Sequence, residues 1–414
     1  MKNLLLILFL SVTFITSCAD EKEKTQEVVV GADILMNEKF NLIEGKNVGL
    51  VVNHTALLSD GTHLADAIHE NENVTLAALF GPEHGVRGDT TGAVEDAVDT
   101  KTQAPIYSLY GESYKPSPEQ LENVDVIVYD IQDVGARFYT YISTLGHVME
   151  AAADAEIPVI VLDRPNPITG VKVDGFVTED SMKSFVAFGK IPVMHGMTVG
   201  EIAQLYNGEG MLAQNRKAEL TVVEMENWKR KLWFDETNLR WVKTSPNLPV
   251  LKTAVVYPGT CFFEGTNISE GRGTEKPFEF IGAPYASADS TTALLNNQNL
   301  KGVQFEAIEF TPEKLPENAY APKYTGEKCS GVYVNVVNRD EFEPVKTGVA
   351  LLWAFHKANP DEFKWREKTI DRLAATPDLR KMIDNGKTPE EIAASWKNDL
   401  DQFMSVRRNY LIYE

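Results

Sequence analysis

The sequence has 414 residues, 60 acidic against 40 basic side chains, a formal net charge of −20 and 43% hydrophobic residues. The acidic charge is spread along the chain and argues against nucleic-acid binding, which requires a basic surface. The length suits two domains with buried cores, and the two cysteines beyond residue 18, Cys261 and Cys329, are too few for a disulfide framework.

The first 27 residues have the pattern of an export signal followed by a tether. Lys2 precedes the apolar run Leu4 to Leu10, which is shorter than the roughly 20 residues that span a bilayer. Cys18 follows Ile15-Thr16-Ser17, an arrangement that resembles a bacterial lipobox, in which the cysteine is lipidated. The sequence therefore predicts a signal peptide over 1–17 and a lipidated Cys18 with a polar tether over 18–27. The alternative is cleavage near Ala19 without a lipid.

Short apolar segments alternate with helical patterns between residues 28 and 248. Helical patterns occupy Leu64–Glu70 and Tyr139–Ala155, and Thr198 with Glu201 forms a capping box before a further helix. Four segments have the continuous apolar character of strands buried on both faces of a parallel sheet: Asn47–Val52, Val74–Phe80, Val124–Tyr129 and Pro158–Leu162. This alternation predicts a doubly wound, mostly parallel α/β domain.

The pattern changes at Ser245–Pro249, a stiff segment with two prolines, and we place the domain boundary after residue 248. The remaining part, 249–414, is expected to form a smaller α+β domain. Its predicted elements are a strand at Ala254–Tyr257, a polar loop at Pro258–Pro277, a strand at Gly331–Val337, and helices at Pro344–Ala358 and Pro389–Arg408.

Ligands of open α/β sheets bind beyond the carboxyl ends of the strands. Polar side chains follow all four predicted strands, so a site is predicted at this rim. The candidates are His54 after the first strand, Glu83 and His84 after the second, Asp130, Gln132, Asp133, Arg137 and Tyr139 after the third, and Asp163, Arg164 and Asn166 after the fourth.

Glu83 is the strongest of these candidates. It lies in Gly81–Gly88, where glycines and a proline impose an unusual backbone path around one carboxylate and one imidazole. Partly dry surroundings after an apolar strand would raise the pKa of Glu83, as a general acid near neutral pH requires. In the alternative interpretation, Glu83 pairs with Arg87 and the glycines form a turn.

The other rim residues have two interpretations each. Asp130, Asp133 and Arg137 form an internal ion-pair network, or Asp130 and Gln132 hold sugar hydroxyls, and the same choice applies to Asp163 and Arg164. Phe138, Tyr139 and Tyr141 stack on a pyranose ring or belong to the core, and His195 is structural or reaches the rim.

A second polar loop spans Glu264–Thr274 and contains three glycines. Such a composition is typical of a binding loop rather than a core. By closing over the rim, this loop would bring in a second carboxylate, Glu264 or Glu270, together with Asn267 and Arg272. The alternative is a solvated connector.

Several common cofactor motifs are missing from the sequence. No G-x-G-x-x-G, G-x-x-x-x-G-K-[ST] or G-x-S-x-G follows a predicted strand, and no Cys/His spacing indicates zinc. We therefore expect neither a cofactor nor a metal.

Five motifs in this order resemble the NamZ-type exo-β-N-acetylmuramidases over nearly the whole mature chain. They are Gly81–Gly85, Asp130–Gly135, Asp163–Pro167, His195–Thr198, and Glu264–Asn267 with Gly271–Thr274. The resemblance implies a Rossmann-like N-terminal domain, a smaller C-terminal domain and an active site between them. It also implies release of N-acetylmuramic acid from the non-reducing end of peptidoglycan fragments, and Glu83 matches the glutamate regarded as catalytic there.

These observations together predict a glycoside hydrolase with Glu83 as general acid and Glu270, Glu264 or Asp130 as base or nucleophile. Arg137, Arg164 or Arg272 is expected to hold the lactyl carboxylate of muramic acid. The expected partners are a peptidoglycan-derived oligosaccharide and, through Cys18, the membrane at the periplasmic or cell-surface side. Two alternatives stay open: a surface lipoprotein that binds wall fragments without cleaving them, and a metal-dependent hydrolase that uses Asp130, Asp133 and His84.

Overall fold

A computed structural model describes residues 27–88, 96–316 and 321–414. The predicted signal peptide, Cys18 and all of the tether except residue 27 lie outside these ranges. Over the described ranges, none of the helices combines the length and the apolar character needed to cross a membrane.

The strands and helices of the described ranges are as follows. The strands are β1 (Asn47–Val52), β2 (Thr75–Gly81), β3 (Ala97–Val98), β4 (Pro105–Ser108), β5 (Val126–Asp130), β6 (Val159–Leu162), β7 (Asp174–Val177), β8 (Pro192–Met194), β9 (Leu220–Val223), β10 (Phe280–Ala283), β11 (Val303–Phe310) and β12 (Cys329–Val336). The helices are α1 (Gly31–Asn37), α2 (Leu64–His69), α3 (Pro118–Leu121), α4 (Tyr141–Ala155), α5 (Val199–Gly208), α6 (Leu251–Thr260), α7 (Ala288–Asn296), α8 (Pro344–Ala358), α9 (Glu367–Ala374), α10 (Asp378–Asp384), α11 (Pro389–Ser395) and α12 (Lys397–Arg407).

The N-terminal part is built on a sheet with the strand order β3-β4-β2-β1-β5-β6-β9. All neighbours pair in parallel except β3, which runs antiparallel to β4. The chain adds β2 and β4 on one side of β1, then crosses back and adds β5, β6 and β9 on the other. The predicted doubly wound α/β fold is therefore confirmed, with its switch point between β1 and β5.

The apolar strands form this sheet because both of its faces are covered. Val48 and Val52 of β1 pack with α1 and α2 on one face, and Val51 packs with α4 and α5 on the other. A continuous apolar strand is the pattern that such two-sided burial requires. Thr198 caps α5 with the predicted reciprocal bonds to Glu201.

The C-terminal part is built on the antiparallel sheet β10-β12-β11, with helices packed around it, which confirms the predicted α+β character. Its core also takes in Phe138, Phe176 and Val193 from the earlier part of the chain. The division after residue 248 stays a prediction, because buried packing is continuous across it.

The strand predicted at Ala254–Tyr257 is wrong, since these residues belong to α6. Local β-branched residues favour a strand, but α6 packs directly on α8 and this packing decides the conformation. The two helices touch at Gly259 and Gly348, where a Cβ on Gly259 would lie 2.0 Å from the Pro344 carbonyl oxygen. The helix predicted over Pro389–Arg408 is also corrected, because it is divided into α11 and α12 at Trp396, which packs edge-on against Phe176 at 4.9 Å.

The glycine contact between α6 and α8 makes a stability prediction. In Gly348→Ala the new Cβ would lie 2.2 Å from the Gly259 carbonyl oxygen, which forces the helices apart. We expect the free energy of unfolding, measured by urea denaturation, to fall by about 1–3 kcal/mol. Lys357→Ala, at an exposed position of the same helix, is the control and should change it by less than about 0.5 kcal/mol. Equal stability of the two variants would contradict the close helix contact.

Candidate active site

The loop after β2 has the unusual backbone that its glycines and proline predict. The Gly85 amide donates to the Pro82 carbonyl at 2.9 Å, and His84 and Gly85 have left-handed φ values of 76° and 71°. At Gly88, also left-handed, a side chain would lie 2.6 Å from the His54 ring. Because the loop turns so tightly, it presents Glu83 at the wall of a cavity.

The alternative pairing of Glu83 with Arg87 is wrong. Arg87 instead holds two other carboxylates, with Nη2 2.8 Å from Asp66 Oδ1 and 2.7 Å from Asp99 Oδ2. These two ion pairs fasten the loop to α2 and to the chain before β4. Glu83 is therefore left for the cavity.

The cavity beside Glu83 has a volume of about 200 Å³ and is lined by residues of both the N-terminal and the C-terminal part. The N-terminal part contributes Glu83, His84 and Tyr110, together with the aromatic segment 138–141. The C-terminal part contributes residues that a sheet rim alone would not supply: Tyr257, Cys261, Glu264, Arg272 and Leu373. A carboxyl from each part thus faces the same space.

The surroundings of Glu83 raise its pKa. Burial is the largest cause, because a dry environment disfavours the charged carboxylate, and the negative charge of Glu264 acts in the same direction. A hydrogen bond from Tyr110 and the charge of Arg272 oppose this effect without cancelling it. Glu83 is thus a carboxyl that keeps its proton to higher pH than an exposed glutamate does.

Arg272 lies between two carboxylates on the second polar loop. Its Nη2 is 2.7 Å from Glu264 Oε1, its Nε is 3.4 Å from Glu270 Oε1, and Phe278 supports the guanidinium at 5.0 Å. About a third of the Arg272 and Glu264 side chains is exposed. The alternative of a solvated connector is therefore wrong, and the role of the loop in binding stays a prediction.

Glu270 has a different environment from Glu264. It is buried, and Lys323 Nζ lies 2.8 Å from its Oε2 while also donating to the carbonyl oxygens of Phe263 and Ile268. Burial alone would raise the pKa of Glu270, but the charges of Lys323 and Arg272 outweigh burial and lower it. Glu270 thus anchors the loop, and Glu264 is the second carboxylate that lines the cavity.

Asp130 is corrected as a catalytic candidate. It is fully buried, and both of its oxygens accept from Arg164, at 2.5 Å from Nε and 2.7 Å from Nη2. A carboxylate held in this two-point ion pair is not available as a base or nucleophile. Arg164 is buried and lines a different cavity from Glu83, so it is not placed to bind a carboxylate of a ligand beside Glu83.

Arg137 is corrected as a ligand-binding residue. Its side chain is fully buried and donates to three backbone carbonyls, those of Phe176 at 2.7 Å, Ile191 at 3.2 Å and Leu373 at 2.6 Å. Desolvation lowers the pKa of Arg137 to about 9. Arg137 joins the β7–β8 ribbon to α9, so it builds the cavity wall without reaching a ligand.

Two other predicted rim residues, Asp163 and Asp133, also have structural contacts. Asp163 accepts hydrogen bonds from Thr198, Gly200 and Tyr413. Full burial raises the pKa of Asp163 to about 7, although these hydrogen bonds oppose the rise. Asp133 accepts from the Gly135 amide at 2.6 Å and lies 3.5 Å from His195 Nε2.

The amides of Asn166 and Asn267 have comparable roles. Asn166 donates to the Met197 carbonyl at 3.0 Å and accepts from the Ile168 amide. Asn267 donates to the Glu362 carbonyl at 2.9 Å and accepts from the Lys364 amide at 2.8 Å. Both asparagines therefore brace loops, and neither is presented to the cavity beside Glu83.

A larger cavity of about 440 Å³ lies at the ends of β1, β5 and β6. Gln132 and Arg164 line this cavity rather than the one beside Glu83. His54 is in neither lining, and its Nε2 lies 2.7 Å from the carbonyl oxygen of Lys243. The structure thus separates the predicted rim into two cavities, and Glu83 lines the smaller one.

The predicted aromatic stacking surface is only partly accessible. Phe138 and Tyr141 are buried core residues, whereas Tyr139 is half-buried at the cavity. Among the described residues, no group of three or more His, Cys, Asp or Glu side chains is arranged to hold a metal ion.

Tyr110 and Lys323 belong to the site but are not among the sequence candidates. Tyr110 follows β4, a short strand near the edge of the sheet that the apolar pattern does not reveal. Lys323 is one of many lysines, and only folding places it against Glu270.

A carboxyl with a raised pKa and a second carboxylate on one cavity are the pair of groups that glycoside hydrolases use. The comparisons agree with this class. The N-terminal domain of the exo-β-N-acetylmuramidase NamZ matches residues 48–252, and the C-terminal domain matches residues 255–413. The chain belongs to the NamZ family of exo-β-N-acetylmuramidases.

Individual relatives match over nearly their whole length. The peptidoglycan β-N-acetylmuramidase NamZ of Bacillus subtilis is 44% identical over 99% of this chain and 97% of the relative. Two solved DUF1343 family proteins of Bacteroides fragilis cover 94% of this chain and 99% of their own, with TM-scores of 0.86 and 0.79 at 36% and 33% identity. The fold and the family are thus established by both sequence and structure.

The charges around Glu83 make a prediction about its titration. Glu264→Gln removes a negative charge that disfavours ionised Glu83, so the pKa of Glu83 should fall, whereas Arg272→Gln should raise it. Carbon-13 NMR of carboxyl-labelled glutamate, assigned with Glu83→Gln, measures both shifts. Glu309→Gln, at an exposed position, is the control. Shifts of the same sign in both variants would show that the arrangement of charges is wrong.

Proposed function

We propose that this protein hydrolyses the terminal β-glycosidic bond of peptidoglycan-derived oligosaccharides and releases N-acetylmuramic acid from the non-reducing end. The observation that carries the proposal is the cavity in which Glu83, with its raised pKa, faces Glu264 of the second polar loop. Membership of the NamZ family supports the choice of substrate.

Glu83 acts as the general acid. The raised pKa favours the protonated form of its carboxyl, and that proton is transferred to the oxygen of the departing sugar. The Tyr110 hydroxyl donates to the Glu83 carboxyl and so orients it. Because the acid must be protonated, release of muramic acid should decline as the pH rises through the raised pKa of Glu83.

Glu264 acts as the second carboxylate. It lines the same cavity, and its ion pair with Arg272 holds it in place. Glu270 and Asp130, the other sequence candidates, are each bound by buried cations. Glu264 therefore serves as the base that activates water or as the nucleophile that attacks the sugar.

Arg272 binds the lactyl carboxylate that distinguishes muramic acid. An acidic protein with an anionic substrate requires a local cation, and Arg272 is a partly exposed arginine on this cavity. Its Nη1 makes no hydrogen bond to the described residues, so it can donate to a ligand carboxylate while Nη2 stays on Glu264.

The role of Glu83 is tested by substitution. Glu83→Gln keeps the shape of the side chain but removes the acidic proton, so kcat for muramic acid release from a muramic acid–N-acetylglucosamine disaccharide should fall about 10²–10⁴-fold. Glu270→Gln is less suitable as a comparison because it unbalances a buried cation, so Glu309→Gln serves as the control.

Three outcomes would contradict the proposal. Full activity of Glu83→Gln would show that Glu83 is not the general acid. Hydrolysis of an oligosaccharide that carries N-acetylglucosamine at its non-reducing end, without hydrolysis of the disaccharide, would show that the substrate assignment is wrong. If wall fragments bind without being hydrolysed by the unmodified protein, the protein is a binding lipoprotein.

We also propose that the protein is exported and anchored to a membrane through a lipid on Cys18. The support is the sequence Ile15-Thr16-Ser17-Cys18 after a short apolar run and before a charged tether. Peptidoglycan lies outside the cytoplasmic membrane, so this location would place the enzyme beside its substrate.

The anchor is tested by partition between phases. The full-length protein expressed in a bacterium should enter the detergent phase, because a covalent lipid adds a large apolar surface. Cys18→Ala should enter the aqueous phase, and Cys261→Ala is the control because that thiol is buried. A mature N-terminus other than residue 18, determined by mass spectrometry, would overturn the proposal.

A further inference from the structure

Four aromatic rings form a cluster beside the Glu83 cavity, which we call the aromatic shelf: Tyr110, Tyr114, His147 and Phe185. Tyr114 and Phe185 are stacked with ring centroids 4.0 Å apart, and Tyr110 lies 6.0 Å from Phe185 and 6.4 Å from Tyr114. The His147 ring is nearly parallel to both Tyr114 and Phe185, at 6.2 and 6.0 Å. The loop after β4, the segment before β8 and α4 meet at this point.

The shelf is partly open to solvent. Tyr114 keeps 39% of its surface exposed, and Tyr110, His147 and Phe185 are half-buried. Single exposed aromatics are common on protein surfaces, but a stacked group that continues into a cavity indicates a binding surface.

The shelf is continuous with the proposed active site. Tyr110 lines the cavity and donates a hydrogen bond to Glu83, and Val186, the neighbour of Phe185, lines it as well. Glu264 and Arg272 reach the cavity from the loop that follows α6. The shelf therefore continues outward from the part of the cavity wall that carries Glu83 and Tyr110.

The position of the acid determines which part of the substrate lies on this side. A general acid must touch the oxygen that leaves with the departing sugar. The departing chain therefore begins next to Glu83, where Tyr110 starts the shelf. Arg272 is left for the muramic acid that is released.

We propose that the aromatic shelf binds the sugar residues on the leaving-group side of the cleaved bond. The first of these sugars contacts Tyr110, and later sugars contact Tyr114 and Phe185. This inference rests on the proposed function and extends it from the bond that is cleaved to the chain that carries it. Binding of these sugars by the shelf would make the protein hydrolyse longer oligosaccharides more efficiently than a single glycoside.

The chemistry of the shelf suits sugars. A pyranose ring has a face of C–H groups whose partly positive hydrogens are attracted to the negative face of an aromatic ring. The phenol hydroxyls of Tyr110 and Tyr114 add hydrogen-bonding groups at the edge of the same surface. Such contacts tolerate shifts along the chain, as an enzyme acting on fragments of different lengths requires.

The test compares two natural substrates that differ only in length. For the disaccharide and the tetrasaccharide of alternating muramic acid and N-acetylglucosamine, kcat/KM for muramic acid release is measured with the unmodified protein and with Tyr114→Ala and Phe185→Ala. The ratio of tetrasaccharide to disaccharide kcat/KM should fall about fivefold to tenfold in both variants, chiefly through KM. Tyr114→Phe, which keeps the ring, should retain most of the ratio.

Controls separate binding from folding. Tyr410→Ala removes a half-buried tyrosine that contacts Glu209, away from the cavity lining, and should leave the ratio unchanged. The Tm of every variant is measured, and if one alanine variant fails to fold, the other supplies the result. An unchanged ratio in folded Tyr114→Ala and Phe185→Ala would overturn the proposal and show that the shelf only packs loops together.

The failure of the proposed function would have a different signature. If the unmodified protein hydrolyses neither substrate, the hydrolase assignment fails for both lengths together. Calorimetric measurement of the Kd for the tetrasaccharide then tests, independently of hydrolysis, whether the shelf binds sugars. Weaker binding by Tyr114→Ala than by the unmodified protein supports the shelf, and equal Kd values overturn it.

Discussion

The site depends on burying Glu83 beside a second carboxylate, an arrangement that requires a cation from another part of the chain. Arg272 supplies this cation. It pairs with both Glu264 and Glu270, and Glu270 in turn pairs with the largely buried Lys323. A buried charge is costly unless it is paired, so this arrangement holds the second polar loop in one position. The loop itself starts from α6, whose close contact with α8 depends on two glycines.

The polar residues at the strand ends serve mainly to build the framework around that site. Asp130 with Arg164, Asp163 with the start of α5, and Arg137 with three carbonyls all satisfy buried groups that would otherwise destabilise the fold. Arg137 is the clearest case, because it fastens α9, which carries the cavity residue Leu373, to the β7–β8 ribbon. These rim residues thus shape the site indirectly, because they hold in place the loops that line it. The aromatic shelf extends the same cavity outward.

Much of the fold follows from local pattern. Continuous apolar runs identify β1 and its neighbours, and α8 is predicted with its observed bounds. The pattern fails where packing outweighs local preference, as in α6, whose β-branched residues form a helix against α8. It also fails at Trp396, where α11 ends and α12 begins and the indole packs against Phe176.

For the site, the sequence by itself determined the candidate acid and the two loops, because glycines and a proline around Glu83 and glycines among polar residues near Glu264 leave few other backbone paths. Only the tertiary structure decided which charged groups pair with one another. It assigned Arg87 to Asp66 and Asp99, Arg164 to Asp130 and Lys323 to Glu270. The physical reason is that ion pairing depends on distances of a few ångströms between residues far apart in the chain, which no local pattern encodes.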